Sequence, residues 1–84
     1  MLILCDFARL GTADAVYDYL SEELSFPAWF GRNLDALHDC LTDLAAPTRL
    51  VLTGTDSPCG QHFLRVFRDA AKRNRNLSVE IYEA

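Results

Sequence analysis

The chain has 84 residues, 50% hydrophobic and 24% charged, with a formal net charge of −4. This is the composition of one small globular domain, expected to span residues 1–84, and it excludes a disordered tail. No apolar run approaches the ~18 residues of a membrane span, and the opening apolar stretch, residues 1–7, lacks the basic lead and the length of an export signal.

In chain order, residues 2–5 (Leu-Ile-Leu-Cys) form the short apolar run expected of a strand buried on both faces. Gly11 and Thr12 break it and open a helix, with Thr12 suited to the N-cap and Asp14 in the first turn, where the helix dipole favours an acid. Val16, Leu20 and Leu24, with Tyr19 beside them, recur at helical spacing while Asp14, Asp18 and Glu22 face away. Ser25-Phe26-Pro27 stops this helix, because the residue before a proline is pushed out of the helical region. An aromatic connector follows, and Asn33 caps a second helix running to about Leu44. Past Pro47, Leu50-Val51-Leu52 reads as another buried strand and Gly54 to Gly60 as a loop. Ser57-Pro58 there gives an N-cap followed by proline at the first helical position. The last helix carries Phe63, Val66, Phe67 and Ala70 on one stripe and stops at Asn74-Arg75-Asn76. Leu77, Val79 and Ile81 then alternate with Ser78, Glu80 and Tyr82, the pattern of a half-buried edge strand. The order β-α-α-β-α-β predicts an α/β two-layer fold, a three-stranded parallel sheet packed against helices.

Charge is unevenly divided. Residues 1–46 hold eight acids against Arg9 and Arg32, whereas residues 47–84 hold four acids and six bases. An acidic front half opposes binding of nucleic acid and suits a basic partner, although solubility alone also accounts for it. At about 100° per residue, Leu34, Leu37, Leu41 and Leu44 of the second helix share one quadrant. Asp35, His38, Asp39 and Thr42 fall on the opposite side, with Asp43 at their margin. Asp35, Asp39 and Asp43 follow at i, i+4, so each pair repels by roughly a few tenths of a kcal/mol. The helix dipole further disfavours Asp43. A helix selected for stability alone would not choose this arrangement, though solvated acids cost little. Trp29 and Phe30 precede it; one aromatic plugs a core, but two in a short connector leave one exposed as an anchor beside the acidic face.

Catalytic alternatives fare poorly. His38, Asp39 and Cys40 are adjacent, but residues two apart on a helix do not face each other, and Cys40 is expected in the core. Cys5 is expected there too, Cys59 lies in a loop where it is open to reaction, and His62 reads as a surface histidine. Gly54 and Gly60 are not a phosphate loop, since Gln61 stands where lysine should follow. Three cysteines without a CxxC pair fit a reducing cytoplasm and support neither zinc nor another cofactor.

The stretch 24–42, Leu-Ser-Phe-Pro-Ala-Trp-Phe-Gly-Arg-Asn-Leu-Asp-Ala-Leu-His-Asp-Cys-Leu-Thr, resembles the central segment of the barstar family, intracellular inhibitors of barnase-type ribonucleases. Residues 66–70, Val-Phe-Arg-Asp-Ala, are similar to the family's last helix. The resemblance implies that the second helix and the loop before it plug a ribonuclease active site. Asp39 would stand in for the substrate phosphate and Asp35 would be a second interface acid. Trp29 takes the position of an interface tyrosine, Thr42 matches a threonine there, and Asp69 replaces a glutamate making a peripheral ion pair. Asn33 belongs to the matched motif. His38 and Asp43 stand where the best-known member has tryptophan and glycine, which implies a target other than barnase itself: a smaller guanyl-specific ribonuclease or a ribonuclease toxin. The implied complex is one to one with a basic enzyme, without membrane or nucleic acid, formed by a protein that is a monomer when free. The alternative is an interaction or immunity module of the same fold that binds a different toxin or a non-nuclease protein.

Overall fold

A computed structural model describes residues 1–82, so the last two residues of the expected 1–84 unit lie outside the described residues. The elements are β1 (Leu2–Asp6), α1 (Phe7–Leu10), α2 (Ala13–Glu23), α3 (Leu34–Thr42), β2 (Thr48–Thr53), α4 (Pro58–Arg73) and β3 (Leu77–Ile81). The strands form one parallel sheet in the order β1-β2-β3, as the helical crossovers require. The one-turn α1 is additional to the three expected helices. The Asp6 carboxylate caps it, accepting from the Ala8 and Arg9 amides at 3.1 and 3.4 Å.

Three expected caps are in place. Thr12 Oγ1 accepts from the Ala15 amide at 3.2 Å, Asn33 Oδ1 from Ala36 at 2.8 Å, and Ser57 Oγ from Gly60 at 3.1 Å, with Pro58 opening α4. The end of α2 comes earlier than proline would impose. Leu24 is its C-cap, Ser25 takes a left-handed φ of 54°, and the Phe26 amide donates back to the Ser21 carbonyl at 3.0 Å. That is a Schellman closure with serine where glycine is usual.

The register places Ile3, Leu50 and Val79 in one row and Cys5, Leu52 and Ile81 in the next. These side chains meet the helices in a core that includes Phe7, Val16, Tyr17, Leu20, Leu37, Leu41, Phe63 and Phe67. Phe7, Phe63 and Phe67 are fully buried and lie within about 6 Å of one another. The expectation of strands covered on both faces is corrected here. Leu2 and Leu4 are 57% and 61% exposed while Ile3 and Cys5 are buried, and Val51 is half-buried between buried Leu50 and Leu52. The helices cover one face of the sheet, so burial alternates along β1 and β2. Gly60 is likewise corrected from loop to helix: it is buried in α4, and a Cβ there would sit 2.6 Å from the Gly54 carbonyl oxygen and from Thr55 Cα.

Candidate protein-binding site

Between α2 and α3 the chain lays down an aromatic floor. Phe26 and Phe30 pack 5.0 Å apart, Phe30 meets Tyr17 edge-on at 5.8 Å, and Tyr17 meets Phe63 at 5.3 Å. Phe30 thereby plugs the core, and Trp29 is turned outward at 80% exposure. Arg32, at a left-handed φ of 53°, fixes the end of this connector. Its guanidinium bonds Asp18 at 2.6 Å and Asp14 at 3.4 Å and lies 5.9 Å from the Tyr17 ring centre. The sequence carried a signal for this clasp: Asp14 and Asp18 are i, i+4 neighbours on α2 and together make a receptor for one cation.

From Asn33, α3 runs with Leu37 and Leu41 fully buried and Leu34 half-buried, so the leucine stripe faces the core as its spacing requires. Asp35, Asp39 and Asp43 are exposed, and none has an ion-pair partner among the described residues. Arg32 offsets one of the two charges of Asp14 and Asp18, whereas the three α3 carboxylates have no cation set against them among the described residues. Asp43 also closes the helix, its amide donating to the Asp39 carbonyl at 3.1 Å, and half-buried Thr42 donates its hydroxyl to the same carbonyl at 3.0 Å. The Asn33 side chain is occupied by capping and by a 3.3 Å bond to the Gly31 carbonyl.

His38 and Asp69 are not free. The His38 imidazole leans onto α4, where Nε2 donates to Asp69 Oδ2 at 2.7 Å, and Arg73 Nε reaches the same oxygen at 3.3 Å. The His38 bond, with Arg73 adding to it, holds the Asp69 carboxyl below its ordinary range. Trp29, Asp35, Asp39 and Asp43 thus form the open surface, while His38 and Asp69 form a seam joining α3 to α4 beside it.

Asn74 is the supporting residue that sequence reasoning missed. Buried at the end of α4, its amide donates at 3.0 Å to both the Leu41 and Leu44 carbonyls. It adds a close donor to two carbonyls at the C-terminal end of α3 that otherwise receive only long bonds, at 3.4 Å from the Leu44 amide to Leu41 and at 3.4 Å from the Asn76 side chain to Leu44. Nothing local marks it, since a helix-ending asparagine looks the same with or without such a role.

The cysteines need one correction. Cys5 is in the core, its thiol pushed up to about 12 chiefly by burial. Cys40 is only partly buried, on the flank of α3 rather than in the core, and Cys59 is the residue that packs against the core, from the first turn of α4. Burial, followed by Asp43 and Asp39, raises the Cys40 thiol. With His38 bound to Asp69 and Cys40 held as a thiol, this helix presents no activated nucleophile. Exposed His62 sits edge-on to Phe63. Among the described residues, no helix is long and apolar enough to cross a membrane.

A family model described as "Barstar (barnase inhibitor)" matches residues 1–82. The chain is also 43% identical over 51 residues, 60% of its length, to the Bacillus subtilis (strain 168) protein named "Putative ribonuclease inhibitor YrdF". The match spans 56%, a little over half, of that relative.

Proposed function

The chain belongs to the barstar family, and on that premise we propose that it inhibits a basic, guanyl-specific bacterial ribonuclease by seating the outer face of α3 in the enzyme's active site. The family and the relative's name support inhibition rather than catalysis. The observation that carries the reading is the row of three exposed, unpaired carboxylates on α3 beside an 80% exposed Trp29. A nuclease cleft concentrates cations to hold a phosphodiester, and a rigid row of carboxylates imitates that polyanion. Asp39, at the middle of the row, takes the place of the phosphate, with Asp35 and Asp43 to either side. Trp29 is the apolar anchor, Thr42 and Asn33 shape the surface between them, and the His38–Asp69 seam bounds it. Binding is one to one, in the cytoplasm, and needs no cofactor.

Inhibition of a panel of small guanyl-specific ribonucleases, run in parallel with Asp39→Ala, tests this. Loss of Asp39 strands a desolvated cationic pocket on the enzyme and weakens binding by about 2–5 kcal/mol. A change below tenfold would remove Asp39 from the centre of the site. Absence of inhibition across the panel would favour a module of this fold directed at another toxin.

A further inference from the structure

Arg32 is the polar tie between the aromatic connector and α2. Its φ of 53° lies in the left-handed region, which a long side chain keeps only where its surroundings hold it there, most often at functional sites. The guanidinium bonds Asp18 at 2.6 Å and Asp14 at 3.4 Å, reaches the Asp14 carbonyl at 3.3 Å, and lies against the Tyr17 ring. An isolated exposed ion pair adds little. Here one guanidinium joins two carboxylates, a carbonyl and a ring into a network, and Tyr17 is the same ring that Phe30 meets edge-on.

The segment held by this clasp is the one that displays Trp29. The Phe30 amide donates to the Pro27 carbonyl at 3.0 Å and closes a turn with exposed Ala28 and Trp29 at its tip. Phe26 and Phe30, at the base of the turn, are only half-buried, and α2 and α3 make little direct contact. Among the described residues, Arg32 is the one side chain of residues 27–33 that hydrogen-bonds to α2. We propose that Arg32 is a positioning residue for the inhibitory surface: clasped onto α2, it holds the Trp29 turn in the pose in which Trp29 and the α3 carboxylates meet the ribonuclease together. The proposal rests on the enzyme-facing role of Trp29 and α3.

A loose turn has to be ordered at every encounter, and the freedom it loses there is subtracted from affinity. A clasp formed on folding removes that loss from the binding step. The clasp also directs the charge of Arg32. Arg32 and Asp35 share the walls of a hollow of about 540 Å³ with Tyr17, Asn33, Leu34 and His62. Held against Asp14 and Asp18, the guanidinium is turned to α2 and makes no ion pair with Asp35. Removing the two acids therefore loosens Trp29 and releases a cation beside Asp35, and both effects oppose capture of a basic enzyme.

Arg32→Ala, and separately the double change Asp14→Ala with Asp18→Ala, open the clasp from either side, while Arg32→Lys keeps a cation in place. In the free proteins, backbone order parameters of Ala28, Trp29 and Gly31 should fall from about 0.85 towards 0.6 in both open variants, with α3 unchanged. Against a ribonuclease that the wild type inhibits, both should raise the inhibition constant about fivefold or more, with Arg32→Lys in between. A field effect alone gives a different pattern, because losing Arg32 makes the protein more acidic and losing two aspartates makes it less so. Opposite shifts in the two open variants, a turn equally ordered in both, or an unchanged inhibition constant despite a loosened turn would each overturn the proposal and leave the inhibition standing. A wild type that inhibits no ribonuclease of the panel would overturn both together.

Discussion

Asp69 shows how one side chain ties two helices together, accepting from His38 of α3 and from Arg73 of its own helix. Its carboxyl is held below the ordinary value of 3.8 by the His38 hydrogen bond, with Arg73 contributing. A carboxyl depressed in the folded state adds stability that is fully present above its unfolded value and is lost as pH falls through its folded one. Asp69→Asn should therefore narrow the stability difference between neutral and acid conditions. Urea denaturation of the two proteins should give separated midpoints near neutral pH, converging below pH 3.8 as the wild-type carboxyl takes up its proton. Equal separation at every pH would assign Asp69 a packing role alone. The seam was illegible in the sequence because its members are 31 positions apart and each reads alone as a surface residue. By contrast, the exposed carboxylates Asp35, Asp39 and Asp43 follow from helical spacing and need no tertiary information.

Among the elements, the caps and the leucine stripe of α3 were legible because capping and periodicity are local rules. The one-turn α1 was not, since four residues carry no period. Nor was the bare face of the sheet, because a run such as residues 2–5 reads the same whether one or both of its faces are covered. Two substitutions probe the joints between elements. Gly60→Ala places a methyl against the backbone of Gly54 and Thr55, where no side chain can yield. It should cost about 1–3 kcal/mol, measured as a lowered denaturation midpoint with the slope unchanged. Ser25→Gly relieves a left-handed residue at the end of α2. It should raise stability by up to about 1 kcal/mol, or a few degrees in Tm, and leave α3 untouched.

For the whole molecule, charge is sorted by helix. The α3 carboxylates stand unpaired, while Arg65, Arg68 and Lys72 of α4, also without ion-pair partners among the described residues, face solvent on a neighbouring helix. A protein with a net charge of −4 arranged this way carries a field directed from one face. Association with a basic ribonuclease should be fast at low ionic strength and slow about tenfold or more as salt is raised. Stopped-flow mixing across a salt series should place most of that change in the association rate rather than in dissociation. A salt-independent rate would point to an apolar contact led by Trp29.

The Asn74 amide has one more consequence. Because Leu41 and Leu44 are gripped from behind by the end of α4, and Leu37 and Leu41 fill the core, α3 is anchored without help from the residues it shows to the outside. Positions 35, 39 and 43 are thereby released from duty to the fold. Natural variation can rewrite them, and so change the charge of the outer face of α3, while the scaffold beneath stays as it is.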